Sequence, residues 1–178
     1  MLRYSNFCPF ITPTIFIDDN MFNSVKENLK YCGRNVEIHP LTKIVKPEMI
    51  EIGDYAKIDD FTFINGGAGI RIGRYFYFAY FASITGGGEL IIGDYVTIGY
   101  GSKIITASDT CWGDKMASST LSKKRGTGTM GRIVIGNRVF IGNDVVIHPN
   151  EWIGEGAVIC DHSQVVKDVK PWGIVVTQ

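Results

Sequence analysis

The chain has 178 residues, 45% of them apolar, with 18 basic and 18 acidic side chains and no formal net charge. That length suits one domain able to bury a core of its own. The balanced charge argues against nucleic acid as a partner, because phosphate contacts normally leave a basic excess.

The first segment, residues 1 to 32, is an arm. Its apolar stretch from Met1 to Ile17 is interrupted by Pro9 and Pro13 and followed at once by Asp18-Asp19. It makes a poor signal peptide and is too short to span a membrane. Asp19 or Asn20 can cap a short helix through Met21, Phe22, Val25, Leu29 and Tyr31, which are apolar at helical spacing. The four cysteines (Cys8, Cys32, Cys111 and Cys160) show no Cys-x-x-Cys spacing, which suits free thiols in a reducing cytoplasm.

From residue 36 onward an isoleucine or equivalent falls at every sixth position. The series runs Ile52, Ile58, Ile64; Ile72, Phe78, Ile84; Ile92, Ile98, Ile104; and then Ile135, Ile141, Ile147, Ile153, Ile159, Val165. Gly often follows, as at Gly53, Gly73, Gly93, Gly99, Gly136, Gly142 and Gly154, and the fifth position is often small, as at Ala56, Thr62, Ala82, Ser102, Ala157 and Ser163. Neither a helical period of 3.6 nor a strand period of 2 produces a six. A parallel β-helix of hexapeptides does: each hexapeptide forms one side of a triangular coil with its Ile inward. Ile52 to Ile72 and Ile72 to Ile92 each span 20 residues, three hexapeptides plus two at one corner. Gly66-Gly67-Ala68-Gly69 and Gly86-Gly87-Gly88 occupy that corner, where positive φ is needed. About six coils at roughly 4.8 Å each give a prism about 30 Å tall. The short N-terminal helix would close its open end.

Between Ile104 and Ile135 lie 31 residues where eight would continue the coil. This insertion, residues 106–132, is the first place to look for function. The β-helix domain is therefore expected over 33–166, with a C-terminal tail at 167–178 whose Pro171-Trp172 packs back on the prism.

The segments Ile52-Gly-Asp-Tyr-Ala-Lys-Ile-Asp-Asp-Phe61, Ser108-Asp109, Val139-Phe-Ile-Gly-Asn143 and Lys167-Asp-Val-Lys-Pro-Trp-Gly-Ile174 resemble the hexapeptide-repeat acyltransferases of the left-handed β-helix class. The likeness is nearest to sugar O- and N-acetyltransferases of surface-polysaccharide biosynthesis and runs from about Phe22 to Ile174. The resemblance implies an all-β, left-handed parallel β-helix with a short N-terminal helical cap and one long inserted loop. It implies a cytoplasmic homotrimer with active sites between neighbouring prisms, and acetyl-CoA lying along the C-terminal coils as acyl donor. A sugar or nucleotide-linked sugar would be the acceptor, its hydroxyl or amine attacking the thioester while a general base takes the proton.

On the matching positions, the resemblance assigns cofactor contacts to Asn143, Asp161, Val166 and Lys167. Tyr77 stands where many relatives carry a histidine and, with Trp112 in the insertion, is assigned to the acceptor. Asp109 marks where the insertion leaves the prism and is a catalytic candidate, either bonding the acceptor or orienting a base from the neighbouring subunit, with capping of the insertion's first turn as the structural alternative. Of the three histidines, His148 is the favoured base, with Glu151 three residues on to orient its ring; His162 and then His39 follow.

A second reading stays open. Tyr77, Asp161 and an end at Thr177-Gln178, where relatives continue into a basic segment, suit a non-catalytic trimeric scaffold or regulatory subunit. A metal-dependent hydratase is a third, held back by the histidine count; no metal site is expected. Gly126-Thr-Gly-Thr-Met-Gly131 matches a dinucleotide fingerprint, but a strand follows it where a helix is required.

Overall fold

The computed structural model describes residues 25–109 and 128–176. Short strands wind into three parallel sheets of six, seven and six strands, which form the sides of a prism. The first face runs through Ile50–Ile52, Gly69–Ile72, Glu89–Ile92 and Arg132–Ile135, the second through Lys57–Ile58, Tyr77–Phe78, Thr97–Ile98 and Phe140–Ile141. The third runs through Phe63–Asn65, Ser83–Thr85, Lys103–Ile105 and Val146–Ile147. Pairing follows the repeat: Ile52 lies beside Ile72, Ile72 beside Ile92, Ile92 beside Ile135, and Ile135 beside Ile153. The jump from Ile92 to Ile135 crosses the insertion without loss of register.

The sixth-position residues from Ile52 to Val165 are all buried and form one continuous core. The small fifth-position residues Ala56, Thr62, Ala82, Ser102, Ala157 and Ser163 are buried beside them, where a larger side chain would crowd the corner. Glycine after the inward residue also has a steric cause. A Cβ on Gly53 would lie 2.7 Å from the carbonyl carbon of Gly73 in the next coil, so this column tolerates no side chain.

Glycine supplies the left-handed turn only at some corners. At the glycine-rich third corner it does, with Gly67 at φ 52° and Gly86 at φ 102°. At the other two corners aromatic and polar residues take φ near 60°: Tyr55, Tyr75 and Tyr95 between the first and second faces, Phe61 and Phe81 between the second and third. Left-handed backbone costs a residue with a Cβ about 1–2 kcal/mol. The rings offset much of this by stacking coil on coil. Tyr55 on Tyr75 and Tyr75 on Tyr95 have centroids 5.0 and 4.8 Å apart, and Phe61 on Phe81 5.2 Å. Each such pair contributes about 0.5–1.5 kcal/mol beyond its burial.

Residues 25–27 are helical, the described part of the expected helix, and Leu29 enters the core. Tyr31–Cys32 is already a strand of the first face, paired with Glu51–Ile52. At the other end Ile174–Val175 pairs with Val158–Ile159, and Val169 bridges to Ile153. The segment expected as a tail therefore winds on as coil, with the Trp172 ring lying over Gly156. The insertion starts as an antiparallel ribbon, Ala107–Asp109 against Gly128–Met130.

Ile98 is fully buried at mid-height. Replacing it with Ala should cost about 2–5 kcal/mol, read as a lower denaturant midpoint with unchanged slope.

Candidate functional site

Because the coils stack in register, residues 18 to 20 apart in sequence become neighbours along an edge of the prism. The edge between the second and third faces carries, coil by coil, His39, then Asp59-Asp60, then Ala79, Gly99, Gly142-Asn143 and Cys160-Asp161. Polar side chains here satisfy backbone amides that the tight corner leaves without a sheet partner. Asp60 Oδ1 accepts from the Leu41 N–H at 2.9 Å, Asn143 Oδ1 from the Tyr100 N–H at 3.2 Å, and Asp161 Oδ1 from the Asn143 N–H at 2.7 Å. Asp161 Oδ2 lies 3.4 Å from Asn143 Nδ2, so that carboxylate is turned into the ladder.

Asp59 breaks this pattern. It follows an inward isoleucine at a position occupied by Ala79, Gly99 and Gly142 in other coils, and its side chain is only 1% exposed. The Tyr77 hydroxyl donates to Asp59 Oδ2 at 2.6 Å. Oδ1 is the one buried side-chain polar atom without a hydrogen-bond partner among the described residues. Two basic groups approach it, Lys57 Nζ at 3.7 Å and His39 Nε2 at 3.8 Å. The other imidazole nitrogen, Nδ1, is 3.5 Å from Asp60 Oδ2. His39 is 31% exposed, so an imidazole open to solvent is backed by a carboxylate that is not.

The edge between the third and first faces carries a second group. His148 is half-buried, and burial pushes the Glu151 carboxyl up, with Asp168 adding to the rise and His148 opposing it. Asp168 is itself fixed by the Trp152 N–H, which donates to Oδ1 at 2.8 Å. Val166 and Lys167 continue this edge and line a groove of about 220 Å³ with Lys170, Gly173 and Ile174. The Asp109 backbone sits in the ribbon opposite Gly128. Its side chain, and Trp112, lie outside the described residues.

The candidate residues thus divide between two edges of the third face. Tyr77, Asn143 and Asp161 belong to one, Asp109, His148, Val166 and Lys167 to the other. Tyr77, expected on the acceptor, also holds a buried carboxylate. The contact of His39 with Asp59 escaped sequence reasoning. The available signal was a charged residue in a column that is small from Ala79 to Gly142.

The Tyr77–Asp59 bond raises the Tyr77 hydroxyl from 10.0 to about 12, chiefly through the hydrogen bond itself. A folded-state value above the unfolded one means full stabilisation below about pH 10 and its loss as pH rises towards 12. Tyr77→Phe should cost about 1–3 kcal/mol at pH 8 by stranding the carboxylate. The gap in Tm between wild type and variant should then narrow between pH 10 and 12.

No family model matches the chain. The N-acyltransferase AntD from Bacillus cereus, in complex with dTDP and 3-hydroxybutyryl-CoA, superposes at TM-score 0.81 with 27% identity, covering 86% of this chain and 81% of that one. A variant of AntD bound to dTDP-4-amino-4,6-dideoxyglucose and coenzyme A gives TM-score 0.82 with 27% identity over 88% of this chain and 84% of that one. The hexapeptide-repeat acetyltransferase VCA0836 from Vibrio cholerae, complexed with acetyl-CoA, gives TM-score 0.54 with 25% identity, covering 86% and 69%. Among curated proteins, a chloramphenicol acetyltransferase of Klebsiella aerogenes is 51% identical over 45 residues, 25% of this chain. A probable macrolide acetyltransferase of Lysinibacillus sphaericus is 50% identical over 44 residues, 25% of this chain. These two matches span 21% and 24% of the relatives' own length. In fold and in sequence the chain is similar to the hexapeptide-repeat acyltransferases.

Proposed function

We propose that the protein is an acyl-CoA-dependent acyltransferase that transfers an acetyl group to a hydroxyl or amine of a sugar or nucleotide-linked sugar in polysaccharide biosynthesis. The observation that carries this reading is the likeness, over 86% of the chain, to an N-acyltransferase holding an acyl-CoA and dTDP. Acetyl-CoA would lie along the C-terminal coils. The groove at Val166 and Lys167 supplies an apolar floor flanked by Lys167 and Lys170, suited to a cofactor that joins a thioester arm to phosphates. Asn143 and Asp161 mark the cofactor's path on the other edge. The acceptor's lone pair attacks the thioester carbonyl, the carbon–sulfur bond breaks, and backbone N–H groups stabilise the oxyanion.

The functional unit in this reading is a cytoplasmic homotrimer. Leu41, Phe61, Phe81, Tyr80 and Tyr100 are exposed on the edge that carries Asp59, an apolar strip that a second copy would cover. Such packing sets the Asp59 edge of one prism against the insertion-bearing edge of its neighbour. Asp109 then bonds the acceptor together with Tyr77 and Trp112, and His148 beside Glu151 is the base candidate on that side. Cys32 and Cys160 are free thiols, in keeping with a reducing compartment. Among the described residues no helix is long and apolar enough to cross a membrane.

Saturating acetyl-CoA, at about a hundred times its Kd, should add about 2.7 kcal/mol of stability and raise Tm by about 5–10 °C. Lys167→Ala should weaken that binding about three- to tenfold, measured by calorimetry. Incubation with acetyl-CoA and a dTDP-linked amino sugar should release free thiol. Neither a melting shift nor thiol release at millimolar ligand would overturn the reading and leave a scaffold.

A further inference from the structure

We infer that His39 accepts the proton of the attacking amine or hydroxyl, that Asp59 positions His39, and that Tyr77 fixes Asp59. This assignment rests on the acyltransferase reading. It begins from an atom the fold leaves unpaired. A buried acceptor without a partner costs about 1–3 kcal/mol, and Asp59 Oδ1 is the one such side-chain atom among the described residues. The following coils place Ala79, Gly99 and Gly142 at the same position, so nothing in the scaffold requires a carboxylate there.

The surroundings say what the atom faces. Tyr77 occupies Oδ2 and stops the carboxylate from rotating. Oδ1 is left towards His39 Nε2, with Lys57 Nζ as the competing cation. Asp60, anchored by the Leu41 N–H, lies against His39 Nδ1. His39 therefore has a carboxylate beside each nitrogen, one buried and one near solvent, and its own edge is open. A base oriented by a third group is the arrangement that proton abstraction during acyl transfer requires.

The step balances without a further reagent. The acceptor's N or O bonds to the thioester carbonyl carbon and passes its proton to His39 Nδ1. Nε2 lies 3.8 Å from Asp59 Oδ1 and Nδ1 3.5 Å from Asp60 Oδ2, so both carboxylates stabilise the imidazolium. The carbon–sulfur bond breaks, and the imidazolium returns the proton to the CoA thiolate, leaving acylated acceptor and free CoA.

The test compares His39→Ala, His39→Gln, Asp59→Asn, Tyr77→Phe and His148→Ala in thiol release with acetyl-CoA and a dTDP-linked amino sugar, alongside melting with acetyl-CoA. Loss of kcat by a hundredfold or more in both His39 variants, with the melting shift retained, is the expected result. Added imidazole should restore part of the activity of His39→Ala. Asp59→Asn should lower kcat about tenfold or more with little change in KM. Tyr77→Phe should lower kcat less than Asp59→Asn. His39 variants within threefold of wild type would overturn the inference while the acyltransferase reading stands, as would a hundredfold loss confined to His148→Ala. Absence of thiol release and of a melting shift in wild type would overturn the reading itself, and the inference with it.

Discussion

Parallel hydrogen bonding of each coil to the next, at fixed register, is the constraint from which the rest of this molecule follows. It turns a distance of 18 to 20 residues along the chain into van der Waals or hydrogen-bond contact in space. Arg34 meets Asp54, Arg74 meets Asp94, Thr62 meets Thr42, and Tyr77 meets Asp59 by the same translation. Such a solenoid is nearly one-dimensional: each coil is held by its neighbours and by little else. A side chain at one corner has its chemical environment set by two other coils at most, and a change in one corner stays local. That is a favourable scaffold for placing catalytic groups, since an edge can carry a column of aromatic rings in some coils and an acid cluster in others without altering the core.

The same constraint explains why strain is tolerated at the corners. Among the described residues twelve non-glycines have positive φ, among them three tyrosines and two phenylalanines in the stacks. One left-handed tyrosine on an isolated turn would be disfavoured. In a column each ring is supported above or below by another, so the penalty and the stacking gain recur together. Asp59 stands outside this compensation. Its burial brings no core packing and leaves one oxygen unmatched. A scaffold that could place alanine there, as it does at Ala79, instead carries a stability cost, and such costs concentrate at functional positions.

Much of the fold was legible because burial is periodic. Every sixth-position residue from Ile52 to Val165 lies in the core, and the small fifth positions are small for the reason of space. The aromatic corners were not legible, since intrinsic preference argues against Tyr and Phe in left-handed backbone and the stacking that reverses it links residues 20 apart. The site divides the same way. Resemblance led to Tyr77, Asn143 and Lys167 by position alone. On sequence alone His39 comes last of the three histidines as a candidate base, and its partners come from the next coil. Asp59 could have been found by laying the coils one above another and asking which column of small residues contains a charge.

The division of candidate residues between two edges of the third face bears on how a site can be completed. His39, Asp59 and Tyr77 sit on one edge, while the root of the insertion, His148 and the groove at Lys167 sit on the other. A flat sheet lies between them, so within one prism the two groups face apart. Apolar exposure runs along more than one edge: that with Asp59 carries Leu41, Phe61, Phe81, Tyr80 and Tyr100, and that between the first and second faces Tyr55, Tyr75 and Tyr95. The first face instead offers charged pairs, Lys30 with Glu51 and Arg132 with Glu89, which are content in water. In the proposed trimer, burial of apolar surface would cover the Asp59 edge. Association there would desolvate the cluster further, strengthening the pull of Asp59 on His39. It would also bring to that cluster the groove at Lys167 and the insertion that a single prism holds on its other edge.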